Sequence, residues 1–61
     1  MDEKLLLRPT EAAEAIGVSR SRAYELISSG QIPSIRIGAS LRVPVAELRA
    51  WVEQQLSRTR P

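Results

Sequence analysis

The chain has 61 residues, nine lysines and arginines, seven aspartates and glutamates, and a net charge of +2. This length fits one small domain, and the lack of cysteine and histidine excludes disulfides, thiolate metal sites and the commonest metal ligand and general base. No apolar run approaches the roughly 18 residues of a membrane span, and the acidic opening MDEK is unlike a signal peptide, so we expect a cytoplasmic protein.

The first predicted element is a helix between Thr10 and Gly17. Thr10 is a favourable N-cap, and we expect Pro9 before it to prevent an earlier start. Gly17 is predicted to end the helix, since glycine readily adopts the left-handed conformation that follows many helices. The apolar positions of this helix form a narrow stripe: Ala12, Ala13 and Ile16.

A second helix is predicted from its N-cap, Ser19, to Gly30, the residue after its C-terminal end. One face carries apolar residues at helical spacing: Ala23, Leu26 and Ile27. The other face exposes polar side chains: Arg20, Ser21, Tyr24, Glu25 and Ser28. Tyr24 lies near the apolar stripe, so we expect its ring to be partly in the core and its hydroxyl in water.

Residues 35–43 are predicted to form a β-hairpin, because isoleucine, leucine and valine alternate there with arginine. With a turn at residues 38–40, the apolar residues share the inner face: Ile35, Ile37, Leu41 and Val43. In that register Arg36 lies opposite Arg42 on the outer face, where like charges destabilise a strand pair. We interpret this pair as a site for an anion; the alternative is an exposed hairpin whose arginines splay apart at little cost.

A third helix is predicted over residues 45–56, after Pro44 has closed the second strand. Its inward positions are the apolar ones: Val45, Leu48, Trp51, Val52 and Leu56. We expect Trp51 to be the main core filler and residues 57–61 to be a frayed tail. These elements predict a single domain over residues 1–61, with its core in about 6–56, that is mostly helical with a small β-hairpin.

The helix pair satisfies the demands of a helix-turn-helix. Ala13 provides a small residue where the helices cross, Gly17 lies in the turn four residues later, and Ala23 helps to close the pair. Four arginines and one glutamate give residues 19–43 a charge of +3, which indicates an anionic partner. The basic hairpin completes a winged helix-turn-helix, whereas the helix pair alone is equally typical of a helix hairpin with a solvated polar face.

Three motifs follow one another between Leu6 and Val52: EAAEAIGVSRSRAYELISSGQIP, RIG and LRVPVAELRAWV. With these motifs in that order, the segment resembles the excisionase-type winged helix-turn-helix domains, which are related to the DNA-binding part of MerR-type regulators. It implies that the helix opening at Ser19 reads the major groove and that the hairpin is the wing. The residues implied to face DNA are Ser19, Arg20, Ser21, Arg22 and Tyr24 on the helix, and Arg36, Ser40 and Arg42 on the wing.

The resemblance further implies a non-enzymatic excisionase of a phage or mobile element, which binds specific double-stranded DNA, bends it and helps an integrase. Expected partners are DNA, a site-specific integrase and further copies bound cooperatively on DNA, with no cofactor, metal, small-molecule ligand or membrane. The alternatives are a small transcriptional regulator that uses the same surface and a protein–protein adaptor. An enzyme is not expected, because the glutamates are scattered over helix surfaces with no histidine, cysteine or glycine-rich phosphate loop beside them.

Overall fold

The computed structural model describes residues 4–59, which form three helices and a small antiparallel sheet with strand order β1-β3-β2. The predicted class, a mostly helical winged helix-turn-helix, is confirmed. None of the helices within residues 4–59 is long and apolar enough to cross a membrane. In chain order the elements are β1 (Leu6–Leu7), α1 (Pro9–Ile16), α2 (Arg20–Ser28), β2 (Ile35–Ile37), β3 (Ser40–Pro44) and α3 (Val45–Thr59).

The start of α1 differs from the prediction, because the helix begins at Pro9 and Arg8, not Thr10, precedes it as the N-cap. Proline suits the first helical position, where its fixed φ is already helical and its missing N–H is not needed. It also forces the preceding residue into the extended conformation that an N-cap requires, with φ −70° and ψ 155° at Arg8. The side chain of Glu11 completes this start by accepting the Arg8 backbone N–H at 2.8 Å.

A tight connection holds α1 against α2, and its predicted end residues are confirmed. Gly17 ends α1 with φ 74°, and the N–H of Val18 donates to the Ala13 carbonyl at 3.0 Å. Ser19 caps α2, since its Oγ accepts the backbone N–H of Arg22 at 3.1 Å. These bonds satisfy backbone groups that both helix ends would otherwise leave unpaired, and so fix how one helix follows the other.

The hairpin register is one residue away from the predicted one. Ile37 pairs with Ser40 and Ile35 with Arg42, so the turn contains two residues, Gly38 and Ala39. Gly38 alone has positive φ there, 61°, which fits the first position of a two-residue II′ turn. A three-residue loop would put its left-handed residue at Ser40, where a side chain is disfavoured.

This register turns two predicted core residues outward. Directly paired residues lie on the same face of a hairpin, so Ile35 and Ile37 share a face with Ser40 and Arg42, away from the buried Val43. Their exposed fractions are 42% and 55%. The inward assignment is therefore wrong for both isoleucines, whereas Val43 is fully buried.

The core includes parts of the chain that the sequence patterns did not indicate. Strand β1 was not predicted; Leu7 pairs with Val43 in β3 and packs against the core. Ile32 is 1% exposed and, with Val43, is one of the two largest fully buried side chains. The carbonyl of Leu26 accepts the N–H of Ile32 at 3.1 Å, which folds this loop residue under the end of α2.

Helix α3 is longer and less buried than predicted. It continues to Thr59, so a frayed tail from Ser57 is wrong for 57–59, while residues 60 and 61 lie outside the described part. Leu48 is buried and Trp51 packs against the core as a partly buried residue, not its centre. A 15-residue helix is about 22 Å long, more than this small core covers, and Val52 and Leu56 are exposed instead of inward.

Candidate nucleic-acid interface

The outer face of α2 is oriented by the residues that the helix buries. Ala23, Leu26 and Ile27 are at most 7% exposed and hold one side of the helix against the core. At 100° per residue, the positions opposite this stripe are Ser21, Glu25 and Ser28. Arg20 and Tyr24 lie to one side of these three residues and Arg22 lies to the other. All of these polar residues are exposed. The helical spacing predicts exposure for every one of them except Arg22, which the resemblance alone implies to face DNA.

The N-terminal end of α2 combines backbone N–H donors with the exposed side chain of Arg20. The first bond of the helix runs from the Ala23 N–H to the Ser19 carbonyl at 3.0 Å, and the Arg22 N–H is taken by the Ser19 hydroxyl. The N–H groups of Arg20 and Ser21 precede this first bond, at the positive end of the helix dipole. Donors in this position favour an anion such as phosphate.

An ion pair links two exposed side chains on α2. Nη1 of Arg22 donates to Oε1 of Glu25 at 2.8 Å, and the two side chains are 60% and 66% exposed. An exposed pair at this spacing contributes little to the stability of the fold. Its main consequence is that the two side chains restrict each other's orientation on the outer face.

Tyr24 is 41% exposed. Its side chain is therefore accessible in part, on the same side of the helix as Arg20. Next to it, the Ser28 hydroxyl donates to the Tyr24 carbonyl at 2.6 Å, one turn back along the helix. This bond ties the Ser28 side chain to the helix backbone.

The two wing arginines lie on opposite faces of the hairpin. Arg36 is exposed and pairs with Leu41, whereas Arg42 pairs with Ile35 and is half-buried. Nη1 of Arg42 donates to the Leu41 carbonyl at 2.8 Å. The predicted shared outer face, with direct repulsion between Arg36 and Arg42, is wrong. Ser40 is exposed near the turn on the Arg42 face, as its pairing with Ile37 requires.

One carboxylate outside this surface is perturbed. Glu11 receives a hydrogen bond from the Lys4 ammonium and another from the Arg8 backbone N–H. Both bonds favour the ionised form, the Lys4 bond more strongly, and they lower the pKa of Glu11. This cluster belongs to the start of α1 and stabilises that helix end.

These elements define a winged helix-turn-helix domain. Small residues allow the two helices to pack closely, and the hairpin that follows them carries an arginine on each face. The helix-turn-helix domain family matches residues 6–56. The chain is also similar to curated proteins named as excisionases, and it belongs to the excisionase-type helix-turn-helix family.

Two relatives show how far the similarity extends. The chain is 41% identical over 44 residues to a probable excisionase of Saccharopolyspora erythraea, a match that covers 72% of this chain and 45% of the relative. It is 35% identical over 51 residues to an excisionase of Streptomyces ambofaciens, with 84% of this chain and 82% of the relative covered. The chain thus spans about half of the first relative and most of the second. No solved structure matches the chain significantly.

Proposed function

We propose that this protein binds specific double-stranded DNA as an excisionase, with the outer face of α2 in the major groove and the β2–β3 hairpin beside it. The observation that carries the proposal is the outer face of α2. It presents short polar and basic side chains at a helix N-terminus, in a chain that is similar in sequence to proteins named excisionases. Short side chains allow the helix backbone to approach base edges closely.

The α2 residues have separable roles in this proposal. Arg20 donates to guanine O6 and N7, the commonest specific contact in the major groove. Ser19 and Ser21 contact phosphate, Ser19 through the hydroxyl proton that its capping bond leaves free and Ser21 through its N–H and hydroxyl. Arg22 and Tyr24 extend the contact along the groove on either side.

The wing carries a positive charge on each of its two faces. Because Arg36 and Arg42 project from opposite faces of the hairpin, a wing that points tip-first at a groove presents one arginine to each bordering phosphate backbone. In this proposal Ser40, close to the turn, donates to a sugar or phosphate oxygen. The Gly38-Ala39 tip itself carries no charge, so the wing reads the backbone and not base edges.

The small size of this surface implies assembly on DNA. A single module of this kind buries roughly 600–1,000 Å² of protein, which is too little for tight and selective binding by one copy. We propose that several copies bind adjacent sites cooperatively, bend the duplex and help an integrase to form the complex that excises a mobile element. Neighbouring copies on one duplex gain from their high effective concentration.

A recombination assay tests the role directly. A plasmid with both attachment sites and the cognate integrase is incubated with the wild-type protein, with Arg20→Ala, or with Glu53→Gln as a surface control on α3. We expect excision with the wild type and the control and a strong loss with Arg20→Ala. Normal DNA binding without any effect on excision, together with repression of a nearby promoter, would favour the transcriptional regulator.

A further inference from the structure

The outer face of α2 carries one feature that phosphate binding does not explain. The sequence of α2, RSRAYELIS, contains a single acidic residue, Glu25, and it lies in the middle of the face opposite the buried stripe. Its side chain is 66% exposed. A carboxylate that approaches DNA is repelled by the phosphates, so this position weakens binding to DNA in general. A group that costs general affinity at the centre of the contact surface needs a specific partner.

The surroundings of Glu25 prepare it to accept a hydrogen bond. Arg22 holds Oε1 at 2.8 Å from the preceding turn of the helix, which restricts the carboxylate's rotation and offsets part of its charge. That bond engages one of the two carboxylate oxygens, and Oε2 keeps its acceptor capacity. The Ser28 hydroxyl, one turn further along the same face, donates its proton to the Tyr24 carbonyl and not to Glu25.

We infer that Glu25 is a specificity-determining residue that accepts a hydrogen bond from the N4 amino group of a cytosine in the major groove, and that Arg22 is its positioning residue. This inference rests on the proposed DNA binding and names the base that the surface selects. Among the bases, cytosine offers its major-groove donor without an adjacent acceptor. Adenine also has a donor, N6, but its neighbouring N7 would face the carboxylate with a lone pair.

The same carboxylate discriminates against the other bases by repulsion. Guanine presents O6 and N7 and thymine presents O4, and all of these atoms are acceptors. Placing one of them against Glu25 brings two electron-rich atoms together and leaves the carboxylate desolvated without a donor. Glu25 therefore contributes selectivity at the expense of affinity, and Arg22 keeps further N–H donors for a neighbouring guanine or phosphate.

Substitutions that remove the charge separate base reading from a general charge effect. Glu25→Gln keeps the shape and Glu25→Ala removes the carboxyl group, and both residues are good helix formers. Glu53→Gln, on α3, is the matched control because it raises the net charge of +2 by the same one unit. Each protein is first used to select duplexes from a randomised pool. Its affinity is then measured for the preferred duplex and for duplexes with single base-pair changes, with thermal unfolding as a check of folding.

The wild type and Glu53→Gln are expected to share one position at which cytosine is preferred. Both Glu25 variants should lose about tenfold in cytosine preference at that position, equivalent to about 1.4 kcal/mol. Their affinity for random duplexes should be unchanged or higher, since a repulsive charge is gone. Arg22→Ala should weaken the same preference, and Arg22→Lys, which retains a cationic donor, should restore part of it.

Two results would overturn the inference in distinguishable ways. If the wild type selects a sequence and both Glu25 variants select the same sequence with the same discrimination, Glu25 is an ordinary surface carboxylate and DNA binding still stands. If the wild type binds no duplex at all, the proposed function fails and the role of Glu25 fails with it.

Discussion

The placement of the wing arginines on opposite faces makes a quantitative prediction about salt. Replacing Arg36 or Arg42 by alanine removes one phosphate contact in the proposed complex, and each contact contributes a slope of about 0.9 to the fall of log K with log salt concentration. Between 50 and 200 mM salt, the advantage of the wild type over each single variant should shrink about 3.5-fold, and over the double variant about 12-fold.

The assay is a fluorescence anisotropy titration of one labelled duplex at several salt concentrations. Arg58→Ala, at the end of α3, controls for the loss of a positive charge outside the proposed interface. We expect the free energy of unfolding to change little, because Arg36 is exposed and the Arg42 guanidinium loses one hydrogen bond, worth about 0.5–1.5 kcal/mol. No gain in stability is expected, since the two arginines do not face each other.

The additivity of the two effects decides between wing geometries. If the hairpin points tip-first at a groove, both single variants lower the salt slope and the double variant lowers it by the sum. If one face of the hairpin lies flat on the backbone, one arginine accounts for the whole effect. Salt slopes equal to the wild type in both single variants would refute the proposed contact of the wing with phosphate.

The remaining predictions concern the helix, the turn, the start of α1 and assembly. Arg20→Ala should cost roughly 1–3 kcal/mol on the preferred duplex and much less on random DNA; equal losses in titrations of both would make Arg20 a phosphate contact. Gly38→Ala should lower the free energy of unfolding, measured in urea, by about 1–2 kcal/mol, because alanine is strained at the φ of 61° that Gly38 adopts. A clash does not add to this cost, since a Cβ at Gly38 meets no described atom within 4 Å. The hydrogen bonds that lower the pKa of Glu11 stabilise the fold at pH values above the pKa that Glu11 has in the unfolded chain. This contribution is lost as the pH falls through the pKa of Glu11 in the folded protein. At pH values below the ordinary pKa of a glutamate, the urea midpoint of Glu11→Gln should therefore fall less steeply with pH than that of the wild type. The same dependence on pH in both proteins would contradict this. Sedimentation should show a monomer without DNA, and duplexes with two or three sites should bind more tightly per site than a duplex with one; a stable free dimer would oppose this.

The helix pair could be predicted from the sequence because each of its signals is local. The Ser19 cap and the Gly17 turn depend on residues within a few positions of one another, and the structure places both as predicted. The buried stripe of α2 follows from helical spacing alone, and its members Ala23 and Leu26 are buried. The exposed outer face, and thus the α2 part of the candidate interface, follows from the same periodicity.

The missed features depend on contacts between distant parts of the chain. Strand β1 has two residues, and Leu7 is extended because it pairs with Val43, far along the sequence. Ile32 is a single apolar residue in a loop, so no periodicity marks it as core. The α1 start was missed because Pro9 was interpreted as a barrier, not as a first helical residue.

The hairpin shows how two sequence signals can disagree in a strand this short. Alternation of apolar and charged residues favours the register that buries all four apolar side chains, whereas a glycine in the first turn position favours the register one residue away. The structure follows the turn signal: the turn contains Gly38 and Ala39, Gly38 has φ 61°, and no residue other than glycine in the described part has positive φ. The turn at Gly38 and Ala39, and not the charge pattern, places Arg36 and Arg42 on opposite faces of the hairpin. The proposed contact of the wing with DNA, one cation for each side of a groove, depends on this turn.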